Sequence, residues 1–224
     1  MGGSRNLLKN FVRASSDWLR VIDSVCNELD VVVVEGDGFL GYGAFGRVFR
    51  VKRISEDGDV LALKIILGSA QELYIEEAYL RMAYESLPEH VMEPLRFISV
   101  EKGAGLLLAH VGERIAKDDC NMAIQAVEAL AKLHDKTIFH GDARIANAVI
   151  VGNKVKWIDF REAGLVHVPD VFRDDMATLV CSLLRIDSLD KVPIIAEAVT
   201  RYPQVGADKE IIGELEKHLS KRKI

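Results

Sequence analysis

The sequence predicts an α+β fold, with an antiparallel sheet in its first half and mainly helices in its second half. Segments 31–34, 48–54 and 60–67 are short and rich in β-branched residues, as strands are. After residue 112, apolar residues recur three and four positions apart, which is typical of one buried helix face. The 224 residues are enough for one or two compact domains with a sizeable core.

The first half is predicted to begin with helix and to continue as a sheet. Apolar residues between 7 and 29 have helical spacing. The three strand segments are then expected to form an antiparallel meander, in which residues 55–59 carry an Asp-Gly hairpin signal. The remaining elements of this half are a helix over 71–84, a strand over 97–100, a turn over 102–105 and a strand over 106–109.

The second half is predicted to be helical around one hairpin. Residues 119–133 form an amphipathic pattern that Asp118 or Asp119 can cap. Later elements are a hairpin of 148–151 and 155–158 with its turn at Gly152 and Asn153, a buried helix around 176–184, and two helices in the last 35 residues.

Composition and charge argue against a nucleic-acid binder, a disulfide-bonded protein and a membrane-spanning protein. The net charge of -5 does not favour a nucleic-acid binder. Cys26, Cys120 and Cys181 lie far apart, without metal-ligand or disulfide spacing, so a reducing compartment is expected. We find no apolar run long enough for a membrane span and no secretory signal pattern. With the cysteine usage, the sequence favours an intracellular protein, cytoplasmic or nuclear.

A glycine-rich motif is the first candidate for binding chemistry. It consists of Gly41, Gly43 and Gly46, followed by Val48. The motif runs into a strand, whereas a dinucleotide-binding turn opens a helix, and it lacks the Gly-Lys-Ser/Thr ending of a P-loop. Backbone N–H groups of such a turn can approach phosphate oxygens closely. Val48 would then contact an adenine ring, although an ordinary flexible loop is the alternative.

A lysine in the third predicted strand supplies a candidate cation. Ala62 and Lys64 lie in an apolar segment downstream of the glycines, where Lys64 could hold the α- and β-phosphates of ATP. Such a lysine needs an anion to position it. Glu77 of the following helix has the register we favour, and Glu76 is the alternative. A solvated lysine and a solvated acidic helix face remain the simpler interpretation of each residue alone.

Two polar segments carry most of the predicted chemistry. Asp142 and Asn147 lie five residues apart in one loop, and Asp159 follows twelve residues later, beyond the predicted hairpin. The hairpin is expected to bring Asn147 and Asp159 together as oxygen ligands for Mg²⁺. Asp142 is then free to orient a hydroxyl and accept its proton, and Arg144 can neutralise phosphoryl charge. A polar loop that caps a helix is the alternative for either segment alone.

These motifs, in this order, resemble the protein-kinase-like superfamily over roughly residues 31–185. The loop reads His-Gly-Asp rather than His-Arg-Asp, which is similar to the compact atypical type that includes the RIO kinases. The stretch 140–160 also resembles the kinase domains of crinkler-type effectors. The resemblance to the protein-kinase-like superfamily implies that Asp175, or alternatively Asp174, braces the catalytic loop. The short distance from Asp159 to the predicted helix that contains these aspartates leaves no room for a long activation segment.

The resemblance implies a two-lobed protein-kinase-like fold with an antiparallel-sheet N-lobe and a short, mainly helical C-lobe. The implied division is an N-terminal helical extension over 5–30, an N-lobe over 31–109 and a C-lobe over 110–224.

The implied function is an ATP- and Mg²⁺-dependent phosphotransferase, most simply an atypical Ser/Thr protein kinase able to autophosphorylate. Its adenine site would include Ala109 and Val111, and its partners would be ATP and a protein substrate, without nucleic acid or membrane. Alternatives are a small-molecule kinase on the same fold and a pseudokinase that acts as an interaction module. The crinkler resemblance would add action inside a host cell.

Overall fold

The computed structural model describes residues 16–43, 46–54, 58–116, 119–201 and 207–221, with only the backbone of 207 and 208. It is an α+β protein with an antiparallel sheet and several helices, as the sequence predicts. The predicted helix before residue 16, the centre of the 55–59 turn and the alternative cap Asp118 lie outside the described residues. In the part of the chain that is described, no helix combines the length and apolar character that a bilayer crossing needs.

The helices lie close to where the apolar periodicity predicts them. They are α1 (Ser16–Leu29), α2 (Gln71–Ser86), α3 (Cys120–Asp135), α4 (Pro169–Leu184), α5 (Pro193–Arg201) and α6 (Ala207–Ser220). Short 3₁₀ turns lie at Ile145–Asn147 and Leu189–Lys191. Of the two caps considered for α3, Asp119 takes the role, because its Oδ1 accepts from the Met122 amide at 3.0 Å.

The strands form one large sheet and two small ones. They are β1 (Val31–Val33), β2 (Phe39–Tyr42), β3 (Arg47–Arg53), β4 (Leu61–Leu67), β5 (Pro94–Val100), β6 (Gly103–Leu108), β7 (Glu113–Arg114), β8 (Ile138–Phe139), β9 (Ala148–Val151), β10 (Lys154–Trp157) and β11 (Gly164–Leu165). The large sheet has the order β1-β3-β4-β6-β5, with β2 also paired to β3. The predicted meander is therefore present as β1, β3 and β4, all antiparallel. The pattern missed β2, which contains part of the glycine motif.

Helix α1 covers one face of this sheet. Its buried residues, among them Ile22, Val25 and Leu29, pack in one cluster with Phe49 of β3 and Leu63 of β4. Because side chains alternate along a strand, the neighbours of Phe49 and Leu63 point to the opposite face. The N-terminal helix thus packs on the protein's own core.

The turn between β5 and β6 lies at residues 101 and 102 rather than over the predicted 102–105, because Gly103 and Gly105 belong to β6. A Cβ at Gly103 would lie 2.2 Å from the Ile66 carbonyl oxygen and 2.8 Å from Val21 Cγ1, and one at Gly105 would lie 2.4 Å from Val25 Cγ1. Both glycines therefore make room for α1 against the sheet, and Gly103 also makes room for the backbone of β4.

The chain divides into two compact units. The first holds the described residues up to Ala78 together with Glu93–Val111, and it contains the large sheet and α1. The second holds Tyr79–Met92 and the described residues from Gly112 onward. The three-part division into 5–30, 31–109 and 110–224 stays a prediction.

The second unit is built around a hairpin and helices, as predicted. Strands β9 and β10 pair antiparallel, from Ala148 with Trp157 to Val151 with Lys154. Gly152 in the turn has φ 65°, a left-handed conformation that suits glycine. Helix α4 begins with a proline at its first turn and buries Met176, Leu179 and Val180.

Candidate active site

A buried aspartate of α4 fixes the loop that follows β8. One carboxylate oxygen of Asp175 accepts from the His140 amide at 2.5 Å, and the other accepts from the Gly141 amide at 2.9 Å. His134 of α3 stacks on Phe172 and places its Nε2 3.3 Å from the same carboxylate. The predicted brace is therefore confirmed as Asp175, whereas Asp174, the alternative, is exposed.

His140 ties this loop to the segment after β10. Its Nε2 lies 2.9 Å from the Ile158 carbonyl oxygen, and its Nδ1 lies 3.3 Å from the Asp142 amide. The geometry thus makes Nε2 the donor and Nδ1 the acceptor of a neutral ring. Complete burial lowers the pKa of His140 below its ordinary value, although Asp175 and the Ile158 carbonyl oppose this shift.

Asp142 is held by two neighbours on its own loop. Arg144 donates from Nε to Oδ1 and from Nη2 to Oδ2, both at 2.6 Å. Asn147 donates from Nδ2 to Oδ2 and to the Asp142 carbonyl oxygen, both at 2.9 Å. Partial burial alone would raise the pKa of Asp142, but the hydrogen bonds and charge of Arg144, with the Asn147 bond, lower it. The carboxyl is therefore ionised at neutral pH.

The hydrogen bonds of Asp142 leave room for one more donor. A carboxylate has about four lone-pair positions, and the described contacts occupy three of them, two on Oδ2 and one on Oδ1. The side chain is 31% exposed, so solvent reaches it. One acceptor position on Oδ1 is thus available to a hydroxyl.

The hairpin returns the segment after β10 to the backbone of Asn147. The Ile158 amide donates to the Asn147 carbonyl oxygen at 2.9 Å, which places Asp159 next to the 3₁₀ turn. Asp159 has φ 65°, a left-handed conformation that costs a residue with a Cβ about 1 to 2 kcal/mol. Strain of this kind is concentrated at functional sites, and here it falls on the predicted metal ligand.

The donor chemistry of these two residues fits Mg²⁺. Both hydrogen bonds of the Asn147 amide come from Nδ2, and its Oδ1 accepts none from the described residues, so this oxygen can bind a cation. Asp159 adds a carboxylate. Among the described residues, no group of three or more His, Cys, Asp or Glu side chains is arranged for a metal. Two protein ligands suffice for Mg²⁺, which commonly takes its other ligands from water and substrate phosphates.

In the first unit, Lys64 of β4 pairs with Glu76 of α2. Lys64 Nζ donates to both carboxylate oxygens, at 2.8 and 2.7 Å, and both side chains are largely buried. The sequence favoured Glu77, so the pairing is corrected to the alternative. Glu76 follows Leu73 by three residues and precedes Leu80 by four, which places it on the buried stripe of the helix.

The glycine motif and its neighbours lie on the same sheet as Lys64. Val48 is the direct partner of Lys64, and Ala62 lies two residues before it, so all three share one face. Gly46 approaches β4 so closely that a Cβ would lie 2.8 Å from the Ile65 carbonyl oxygen. Gly41 ends up within β2, and the Gly43 amide donates to the Gly46 carbonyl oxygen at 2.9 Å.

The two residues predicted to contact adenine, Ala109 and Val111, lie in the last segment of the first unit. The Ala109 amide donates to the Glu93 carbonyl oxygen at 3.1 Å, so this N–H is already used within the first unit. Val111 is half-buried and lies outside the strands. An adenine contact by Ala109 and Val111 stays a prediction.

Comparison with known proteins finds a similarity to a curated protein, and no family model matches the chain. The chain is 27% identical over 138 residues to a "Probable bifunctional tRNA threonylcarbamoyladenosine biosynthesis protein" of Methanobrevibacter smithii. The match covers 59% of this chain and 25% of that protein. The chain therefore spans about a quarter of the length of the curated relative it matches.

This finding corrects the recognition made from the sequence. The sequence motifs predict membership of the protein-kinase-like superfamily, compact atypical type, with a further resemblance to crinkler-type effectors. No family model matches the chain, and the relative found is named for tRNA modification. That recognition is wrong, and neither an effector role nor Ser/Thr specificity has support.

Three residues in the loop or in contact with its surroundings had no role predicted from the sequence. His140 packs between Trp157 and Phe160, at ring distances of 4.9 and 4.8 Å. Ser182 of α4 accepts from the Ile145 amide at 2.9 Å and so anchors the 3₁₀ turn. His134 supports Asp175 from α3. Their positions follow from contacts distant in sequence, which local periodicity does not report.

Proposed function

We propose that this protein transfers the γ-phosphoryl group of ATP to a hydroxyl acceptor in a Mg²⁺-dependent reaction. The observation that carries the proposal is the cluster formed by Asp142, Asn147 and Asp159, in which one ionised carboxylate has a free acceptor position beside two oxygen ligands suited to Mg²⁺. Phosphoryl transfer depends mainly on such positioning and charge stabilisation.

Asp142 is assigned to the acceptor hydroxyl. Its available Oδ1 position accepts the O–H and directs the oxygen toward the γ-phosphorus. As the new P–O bond forms, the hydroxyl proton passes to Asp142 and ADP leaves with the electrons of the broken bond. Because Arg144 helps to lower the pKa of Asp142, this carboxylate is a weak base and acts chiefly by orientation. A late proton transfer suits the loose transition state of this reaction.

Lys64 and the glycine turn are assigned to the nucleotide phosphates. Glu76 fixes the position of the Lys64 ammonium, which neutralises phosphate charge as a point cation. Gly43 and Gly46 lack side chains that would keep phosphate oxygens from backbone N–H groups.

Asn147 Oδ1 and the Asp159 carboxylate are the groups that would hold Mg²⁺. The ion supplies charge neutralisation on the phosphates. Arg144 is bound to Asp142 rather than directed at a substrate, so its proposed role is to hold the Asp142 carboxylate in orientation. Neutralisation of phosphoryl charge by Arg144 would need this ion pair to open.

The relative favours a role in tRNA modification for this activity. A protein that shares 27% identity over 138 residues is named for threonylcarbamoyladenosine biosynthesis on tRNA. We place the phosphotransferase in that setting in preference to an autophosphorylating Ser/Thr kinase. A small-molecule kinase is the second candidate, because the loop supplies an acceptor position without showing what binds there.

The test is release of ADP from ATP with Mg²⁺, measured for the wild type and for Asp142→Ala, with a protein acceptor, with tRNA and with neither. The proposal predicts Mg²⁺-dependent ADP release in the wild type that Asp142→Ala abolishes while ATP binding is retained. The acceptor that raises the rate identifies the class of substrate. Equal ADP release by both proteins, or none from a wild type that binds ATP, would contradict the proposal.

A further inference from the structure

Gly141 has a conformation that strains any other residue and surroundings that leave no space for a Cβ. Its φ is 78°, in the left-handed region. A Cβ at this position would lie 2.2 Å from the Glu162 carbonyl oxygen and 2.7 Å from both the carbonyl carbon and the Cβ of Glu162. The obstacle is mainly backbone, which cannot rotate away as a long side chain can.

The two backbone segments that meet here carry the candidate site. The Gly141 amide is bound to Asp175, so the loop cannot retreat from Glu162 without breaking that hydrogen bond. On the opposing segment, the Ile158 carbonyl oxygen is bound to His140 Nε2. Asp159 lies between Ile158 and Glu162, so its position depends on how closely this segment approaches the loop.

We propose that Gly141 is a positioning residue that lets segment 158–162 lie directly against the loop and so sets Asp159 beside Asn147 before any ligand binds. This inference rests on the proposed function, since that function makes Asp159 a metal ligand. It explains why glycine precedes Asp142. It also means that contacts with the loop hold the segment.

A side chain at 141 should therefore act on the metal site more than on the nucleotide itself. Cβ contacts under 3.0 Å are essentially not tolerated, so the 158–162 segment would move by roughly 1 Å, enough to cost about 100-fold in a positioned reaction. Loss of a supporting contact to a metal ligand commonly weakens metal binding by about 10- to 100-fold.

The chain offers a matched control for the strain of a left-handed residue. Gly152 has φ 65°, but nothing lies within 4 Å of a Cβ built on it. Gly152→Ala therefore adds the conformational penalty without the clash. Gly141→Ala adds both, so the difference between the two variants reports the contact with Glu162.

The experiment measures ADP binding by calorimetry with and without Mg²⁺ for the wild type, Gly141→Ala and Gly152→Ala. We expect Mg²⁺ to strengthen ADP binding in the wild type and in Gly152→Ala, and this gain to fall at least about tenfold in Gly141→Ala. Binding without Mg²⁺ should stay within about twofold in all three. An unchanged Mg²⁺ gain in Gly141→Ala, or an equal loss in Gly152→Ala, would overturn the inference.

A second measurement needs no variant and no metal. Amide hydrogen exchange of the free wild-type protein should show Gly141 and Ile158 protected as strongly as the centre of α4. Rapid exchange at both amides would show that the segment is not held, and would overturn the inference even if Gly141→Ala fails to fold. Failure of the proposed function is distinguishable, because it would appear as no Mg²⁺ gain in the wild type alongside protected amides.

Discussion

The Asn147 side-chain nitrogen donates to Asp142 twice, to the carbonyl oxygen and to Oδ2, and both distances are 2.9 Å. This pair closes the loop from Asp142 to Asn147 into a rigid unit. It also fixes which atom of each residue can meet a ligand. For Asn147 that atom is Oδ1, which accepts no hydrogen bond from the described residues, and for Asp142 it is Oδ1 with one acceptor position left.

Arg144→Ala should raise the pKa of Asp142. Burial acts to raise this pKa, and the hydrogen bonds and charge of Arg144 are the largest opposing effects. Activity needs the ionised carboxylate, so the acid limb of the pH–rate profile should move to higher pH in the variant. Arg144→Lys keeps the charge and should shift the limb less. An acid limb at the wild-type pH in Arg144→Ala would show that Arg144 does not control the ionisation of Asp142.

Glu76→Gln and Glu77→Gln should differ although the residues are adjacent. Glu76 is buried against Lys64, and removal of one partner from a buried ion pair costs about 3 to 5 kcal/mol of stability. Glu77 is less buried, and its substitution should cost about 1 kcal/mol or less. Urea unfolding measures both free energies, and ATP titration should show weaker binding for Glu76→Gln only. Larger losses of stability and ATP binding in Glu77→Gln than in Glu76→Gln would instead make Glu77 the partner of Lys64.

Asp175→Asn should loosen the loop, whereas Asp174→Asn should not. The two amide bonds to Asp175 are charge-assisted, each worth about 1.5 to 3 kcal/mol, and the amide side chain keeps only one oxygen acceptor. We expect faster hydrogen exchange at His140 and Gly141 and a loss of about 2 kcal/mol in stability. Because Asp174 is exposed, Asp174→Asn should change stability by no more than about 0.5 kcal/mol. Equal effects of the two changes would contradict the assigned brace.

Acid should destabilise the protein through His140. Burial keeps the folded-state pKa below the ordinary value of 6.5, so the unfolded chain binds the proton first as the pH falls. The contribution of neutral His140 to stability is therefore full above pH 6.5 and declines below it, until the pH reaches the folded-state pKa. Urea unfolding across this pH range should show that His140→Gln loses less unfolding free energy on acidification than the wild type does. An equal pH dependence in both proteins would remove His140 as its source.

The periodic parts of the fold could be predicted from the sequence, because burial of one face imposes a repeat on it. Helix α4 and the hairpin around Gly152 lie where their patterns indicate. Gly103 and Gly105 were misread as a turn, because their role is to admit Val21 and Val25 from a helix far away in the chain.

The residues of the candidate site likewise divide into those that could be predicted from the sequence and those that could not. Asp142, Asn147 and Asp159 could be proposed from residue type and spacing, since a hairpin returns the chain to its starting point. The choice of Glu76 over Glu77 depended on which helix face is buried, which one residue of register decides. The contact of Gly141 with Glu162 joins two backbone segments and leaves no periodic signal in the sequence.

The most direct test of phosphoryl transfer by this cluster is a single-turnover reaction with γ-labelled ATP and Mg²⁺, comparing the wild type with Asp142→Asn. Nucleotide binding is measured on the same samples. We expect Asp142→Asn to bind ATP as the wild type does and to lose label transfer by about 10²- to 10⁴-fold, because the amide lacks the charge and the second oxygen with which the carboxylate orients the hydroxyl and takes its proton. Equal transfer of label by the two proteins would contradict it.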